Sequence, residues 1–155
     1  IENEEKIVVF ATHHEIIDSI KEKYGDLAVK FDGRSSAEEK NKAVNEFQNN
    51  SNVKVFVANI QTAGAGITLT SASKLCFVEL AWTPGDHLQA EDRIHRIGQK
   101  DSVNIYYFIA KDTVEEKIAK LLINKIKTLN KILEGKVLEE DNLLSALLNL
   151  IEKGE

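Results

Sequence analysis

The chain has 155 residues, 43% of them hydrophobic and 29% charged, with a net charge of −5 and a pI near 5.5. That describes one globular domain with room for a sizeable core, and the acidic balance excludes a free-standing nucleic-acid binder that works by bulk charge alone, though not a basic groove shared with another domain. Cys76 is the single cysteine, which excludes a disulfide framework and a cysteine metal site. No apolar run approaches the ~20 residues that span a bilayer, and the leading IENEEK lacks the layout of a secretory signal. The expected setting is intracellular: a bacterial cytoplasm or nucleoid, or a nucleus. The absence of methionine predicts a fragment of a longer protein.

KIVVFA (Lys6–Ala11) is short, apolar and rich in β-branched residues, and reads as a buried strand. HHEIIDSIKEKY sets Ile16, Ile17, Ile20 and Tyr24 at helical spacing and stops at Gly25. AVKF is a second strand ending at the turn Asp32-Gly33. Ser36 and Glu39 have capping-box spacing for a helix reaching about Phe47. A polar NNSN loop leads to the strand VKVFVA (Val53–Ala58). The next segment, Asn59 to Ser73, carries glycines at 64 and 66 and has no strong period. KLCFVEL is another strand. Thr83, Pro84 and Asp86 form the capping start of a helix that Gly98 suits as an end, and VNIYYFIA (Val103–Ala110) is the last strand. Strands alternating with helices, and buried on both faces, predict a doubly wound α/β domain with a parallel sheet over residues 1–112. TVEEKIAKLLINKIKTLNKIL then reads as one long helix packing on that domain, over 113–134, opened by a capping box of Thr113 and Glu116. Gly135 breaks it. DNLLSALLNLIEKG predicts a short helical tail with a broad apolar face, over 135–155.

Two stretches carry candidate chemistry. The first is QAEDRIHRIGQ, Gln89 to Gln99. Only Arg34, Arg93 and Arg96 among the 20 Lys plus Arg are arginine, and two of them fall here. At ~100° per residue Gln89, Arg93 and Arg96 share one sector, and Ala90, Ile94 and Ile97 the adjoining one. The apolar strip is expected to dock on the sheet and leave the arginines at its rim. An Asp92–Arg96 surface pair is the plain reading and would contribute only ~0.3–0.5 kcal/mol. Two planar guanidinium forks on a rigid base instead suit a phosphate chain. The second stretch is IQTAGAGITLTSA, beyond the end of a strand, where ligands of open α/β sheets bind. Its small residues let the backbone approach a partner closely, and Thr62, Thr68 and Thr70 can donate to phosphate oxygens.

With these residues in view, a family resemblance can be stated. QAEDRIHRIGQ resembles motif VI of superfamily 2 helicases in its SNF2 form, and NIQTAGAGITLT resembles motif V. AWTP resembles the tryptophan-proline step between them, and FDG the segment following motif IV. The match runs roughly from Lys6 to Leu133 and looks closest to the annealing-helicase (HepA-related) branch. It departs from many members at Thr62-Ala63-Gly64 (Ala-Gly-Gly), Thr68 (Asn) and Trp82-Thr83-Pro84 (Trp-Asn-Pro).

The resemblance implies the second, C-terminal RecA-like lobe of an ATP-driven double-stranded DNA translocase that remodels protein–DNA complexes or anneals strands. It implies that Arg93 and Arg96 reach the γ-phosphate of ATP, with Arg96 the finger and Gln89 orienting both. Gly64 and Gly66 would lie beside the nucleotide. Gly33, Arg34, Ser35, Gln61, Thr62 and Trp82 would lie along DNA. ATP and Mg2+ would be held mainly by an N-terminal lobe, with no cofactor expected on this fragment. The implied partners are double-stranded or forked DNA and that first lobe; no membrane is implied, and the fragment is expected to be monomeric. No G-x-x-x-x-G-K-[ST] loop and no Asp-Glu-x-His occurs in the chain, so the fragment alone is expected to be inactive. A strand-separating helicase is a second enzyme reading. A non-catalytic DNA- or protein-binding module that keeps the RecA-like fold is the alternative from another class.

Other features read more plainly. His13-His14-Glu15 is half a zinc motif without its second half. Cys76, mid-strand, is a buried apolar residue. Trp82 is either core or a ledge under motif VI.

Overall fold

The structure, a computed structural model, describes residues 5–132. Five strands, β1 (Ile7–Ala11), β2 (Ala28–Phe31), β3 (Val55–Asn59), β4 (Lys74–Phe77) and β5 (Asn104–Tyr107), form one sheet in the order β2-β3-β1-β4-β5, every neighbouring pair parallel. Among the described residues there are four α-helices, α1 (His14–Tyr24), α2 (Ala37–Asn49), α3 (Pro84–Glu91) and α4 (Val114–Ile132). This is the doubly wound α/β architecture expected from the sequence.

Because β1 lies at the centre, its side chains are apolar toward both faces. Val8 and Phe10 join a core with Phe47 of α2 and Ala90 of α3, while Val9 and Ala11 meet Ile17 of α1 on the other face. Aromatic rings fill the first core. Phe56 lies 5.6 Å from Phe31 and 5.2 Å from Phe47, and Phe77 lies 4.9 Å from Tyr107, centroid to centroid. Cys76 is buried on the α1 face, and burial pushes its thiol up to about 11.

Local signals act where the sequence placed them. The Ser36–Glu39 capping box forms in full. Gly25 closes α1 at φ 52°, a backbone state that strains any residue with a Cβ.

Three expectations are corrected. β4 ends at Phe77 rather than Leu80, because the chain must turn there to reach α3. β5 is not buried on both faces: it is an edge strand, and Asn104 and Tyr106 stay exposed because α1 packs over β1, β2 and β3 instead. The cap of α4 also differs. Thr113 accepts from the Glu115 amide at 3.3 Å, and Glu115, not Glu116, reaches back to the Ala110 amide at 2.8 Å.

α4 buries Ile118, Ala119, Leu122, Ile123 and Ile126 against Leu80, Tyr107 and Ile109. The tail helix predicted for 135–155 lies outside the described residues. No described helix is long and apolar enough to cross a membrane.

Phe56 touches two other rings at the centre of the core, so Phe56→Ala is expected to cost ~3–5 kcal/mol in denaturant unfolding. Phe108→Ala, at a side chain 60% exposed, is expected to stay within about 0.5 kcal/mol of wild type in the same assay.

Candidate nucleotide and nucleic-acid interface

An all-parallel sheet gathers the carboxyl ends of its strands on one edge. After β1 the chain leaves toward α1, and after β4 toward α3 on the opposite face, so a crevice opens between these neighbouring strands. Glu79 occupies it. Its carboxylate accepts from the Thr12 amide at 2.8 Å, the Thr12 hydroxyl at 3.0 Å and the His13 amide at 2.9 Å, and meets the His13 ring at 2.6 Å. Burial pushes the Glu79 carboxyl up, but these bonds outweigh it and hold it below its ordinary value. Asn59, at the end of β3, joins the same edge: its side-chain amide donates to Thr12 O at 2.7 Å and its side-chain oxygen accepts from the Gln61 amide at 2.9 Å.

A 3-10 turn, Ile60–Ala65, follows β3 and hands over to Gly66 at φ 72°. None of the three threonines expected to face phosphate is free of the chain. Thr62 donates to Asn59 O at 2.6 Å, Thr70 lies 3.4 Å from the Gln48 amide, and Thr68 accepts from Arg96.

The paired arginines lie beyond α3, which corrects the single-helix reading. α3 ends at Glu91, and the chain continues in turns with Arg93 N–H to Ala90 O at 3.2 Å and Ile94 N–H to Glu91 O at 3.0 Å. One reason is visible: the Leu69 amide takes the Arg93 carbonyl at 2.9 Å, so that carbonyl is spent outside the helix. The helical face that is buried consists of Pro84, His87, Ala90 and Glu91, continued by Ile94, whereas Ile97 is fully exposed rather than docked. Thr83 does cap α3, but its hydroxyl donates to the Asp86 carboxylate at 2.7 Å, where a full box would use the Thr83 amide.

Arg93 Nε donates to Gln89 O at 3.0 Å. Arg96, exposed, makes no pair with Asp92; its Nη1 donates to Gly66 O at 3.1 Å, Ile67 O at 3.3 Å and Thr68 Oγ1 at 2.7 Å. Its Nε and Nη2 carry no bond among the described residues. Gln99 adds a third tie between the segments, donating to Ala72 O at 2.7 Å. The structure thus brings Arg96 and Gly66 together and sets Gln89 against Arg93.

The turn after β2 is distinct. Asp32 is fully buried, and Arg34 grips it through Nε at 3.0 Å and Nη2 at 2.6 Å, while reaching Asp18 at 2.9 and 2.7 Å. Burial pushes the Asp32 carboxyl up, but the Arg34 bonds and the charges of Arg34 and Lys30 hold it below its ordinary value. Arg34 is therefore committed to two carboxylates, and beside it in the turn Gly33 is exposed and Ser35 half-buried. Gln61 is exposed, and Trp82 is 58% exposed, so it is not core; Lys125 donates to its carbonyl at 2.6 Å. No cluster among the described residues could hold a metal, and His13 and His14 turn instead to Glu79 and Asp32.

Three residues were missed from sequence. Tyr107 donates to Glu91 at 2.5 Å and anchors the end of α3; burial pushes both groups up. His87 accepts from the Ala81 amide at 3.2 Å, and burial holds it down at about 4, as a neutral ring. The i, i+3, i+4, i+7 register of His87, Ala90, Glu91 and Ile94 was the available signal for His87 and Glu91; Tyr107, on β5, had none.

A parallel five-stranded lobe with an arginine-bearing turn laced to a glycine loop at its carboxyl edge is the RecA-like lobe of helicase-type proteins. The chain belongs to the helicase conserved C-terminal domain family, which it matches over residues 1–98. It is 41% identical over 128 residues to the SWI/SNF-related matrix-associated actin-dependent regulator of chromatin subfamily A-like protein 1 of Xenopus laevis, an alignment covering 81% of this chain and 13% of that protein. It is 39% identical over 134 residues to the DNA annealing helicase and endonuclease ZRANB3 of Homo sapiens, covering 84% of this chain and 12% of that one. The crystal structure of the C-terminal part of the Fun30 ATPase domain superposes with a TM-score of 0.72 at 28% identity, over 97% of this chain and 49% of that one. The relatives are SNF2-family proteins, and annealing helicases are among them. The chain spans about an eighth of the length of these curated relatives.

The Asp32–Arg34 clasp gives a pH prediction. A carboxylate depressed in the folded state contributes stability above about pH 4, and this is lost as pH falls through the folded-state value. Arg34→Gln removes the guanidinium from that buried charge and leaves it with Lys30 at 3.9 Å and a backbone amide, so the variant should melt below wild type near pH 7. The gap should narrow as pH falls, because protonation relieves the charge first in the variant, while the wild-type clasp is lost only as pH drops below about 4 toward its depressed folded-state value. Paired thermal melts across that range measure it.

Proposed function

We propose that this chain is the arginine-finger lobe of an ATP-driven double-stranded DNA translocase, acting with an N-terminal lobe to remodel protein–DNA complexes or anneal strands. One observation carries the reading: Arg96 is held through Nη1 by the glycine loop, and its other two guanidinium nitrogens have no partner among the described residues. A surface salt bridge would use Arg96 against Asp92, and that pair is absent. A guanidinium held on one edge suits the charge that develops on a transferring phosphoryl group.

In this reading Arg96 is the finger, and Arg93 is its neighbour on the phosphate chain. Gln89 orients Arg93 through the carbonyl that takes its Nε. Gly64 and Gly66 shape the loop beside the nucleotide. ATP with Mg2+, held mainly by the first lobe, supplies the phosphoryl group. Gly33 and Ser35 offer the turn after β2 to a DNA phosphate, with Arg34 bracing that turn through Asp32 and Asp18. Gln61, Thr62 and the exposed Trp82 continue the DNA track. The chain's net charge of −5 leaves this track weak without the other lobe.

Two outcomes test the proposal. The purified chain alone should show no DNA-stimulated ATP hydrolysis, because it contains no phosphate-binding loop; turnover that survives repurification overturns the two-lobe reading. In a protein carrying both lobes, Arg96→Ala should lower DNA-stimulated turnover ~10³-fold or more while nucleotide affinity changes far less. Arg96→Lys should rescue little, since one ammonium cannot reproduce the fork. A lysine variant near the wild-type rate would reduce Arg96 to surface charge and favour a non-catalytic binding module.

A further inference from the structure

We propose that Thr68 is a positioning residue for Arg96: its hydroxyl oxygen fixes the guanidinium so that the Nε/Nη2 edge is presented to phosphate. The proposal rests on the finger reading above and adds to it a residue and a role.

Three acceptors converge on Arg96 Nη1, and the side-chain hydroxyl is the shortest, at 2.7 Å against 3.1 and 3.3 Å for the two carbonyls. The carbonyls belong to backbone that any sequence would supply. Thr68 Oγ1 is the one acceptor of the three that the sequence chooses. A long, exposed arginine otherwise samples many rotamers, and ordering it costs up to about 2 kcal/mol of side-chain entropy. A bond to a charged donor is among the stronger hydrogen bonds available for that purpose.

Packing does not do this instead. Arg96 is exposed, and the flank of the loop at Gly66, Ile67 and Thr68 borders an open groove of about 460 Å³ toward Asn41, Asn45 and Gln48 of α2. The backbone tie from Leu69 N–H to Arg93 O keeps loop and turn together without Thr68. Removing the hydroxyl therefore takes away the shortest of the three bonds on the arginine head and loosens it, while leaving its base held.

Valine matches threonine in shape and lacks the acceptor; serine keeps the acceptor and lacks the methyl. The experiment measures kcat and KM for ATP at saturating duplex DNA in a two-lobe protein, for wild type, Thr68→Val, Thr68→Ser, Arg96→Ala and the Thr68→Val/Arg96→Ala double variant. Thr68→Val should lower kcat ~10-fold with KM for ATP changed less than about 3-fold, and Thr68→Ser should lie within about 2-fold of wild type. On the Arg96→Ala background, Thr68→Val should cause no further loss, because the group it positions is gone.

A Thr68→Val variant at the wild-type rate, a Thr68→Ser variant as slow as Thr68→Val, or losses that simply multiply in the double variant would each overturn the positioning role. If Arg96→Ala itself turns over at the wild-type rate, the finger reading fails, and this inference falls with it. That result is distinct from a severe Arg96→Ala loss accompanied by an indifferent Thr68.

Discussion

The parallel direction of all five strands is the constraint on which the rest depends. A parallel pair cannot be joined by a tight hairpin, so the chain must recross the sheet between strands, and the carboxyl ends collect on one edge. That edge receives Thr12 and His13 after β1, Asp32 after β2, Asn59 after β3 and Glu79 after β4. Residues far apart in sequence therefore meet there. The central strand β1 must be apolar on both faces for this to work, and Val8, Val9, Phe10 and Ala11 are all buried.

The edge separates two kinds of charge. Glu79 and Asp32 are tied down by donors from their own chain, so their negative charge is spent on holding loops in place. This matters for an anionic ligand, which such carboxylates would otherwise repel. Arg34 belongs to the same internal accounting of charge, since both faces of its fork are taken by Asp18 and Asp32. Arg96 differs in kind. Its acceptors among the described residues are two carbonyls and a hydroxyl, none of which carries a formal charge, so these bonds do not neutralise its positive charge.

The lacing between the 66–72 segment and the 93–99 segment joins the two halves of the site. A backbone bond, the guanidinium contacts and the Gln99 amide cross between them, and Tyr107 secures Glu91 just ahead of the turn. In the proposed function both segments lie beside the nucleotide, and Gln61 and Thr62, shortly before the first of them in the chain, lie along DNA. A displacement of the loop would then carry the arginine with it, which is a physical route by which DNA contact and ATP turnover can be linked.

The sequence alone determined the strands, most of the helices, the parallel sheet and the two stretches that form the candidate site, because those follow from local patterns. Period-two and period-3.6 burial, Ser36 with Glu39, and Gly25 are written into neighbouring residues. It also carried the family resemblance, since the motif V and motif VI runs are contiguous. What failed was each inference that extended a local period past the point where a distant group intervenes. α3 was read through to Gly98, but it ends at Glu91, where the Leu69 amide takes the Arg93 carbonyl. Ile97 was placed in the core by periodicity alone, while His87 and Glu91 were passed over because they are polar. Tyr107, sixteen residues from Glu91 in the chain, supplies the hydrogen bond that lets that carboxyl be buried. The Asp18 and Asp32 partners of Arg34 were likewise not legible in the sequence. Only the tertiary structure decided these points, because a hydrogen-bond partner brought in by the fold leaves no periodic trace in the sequence around the residue it captures.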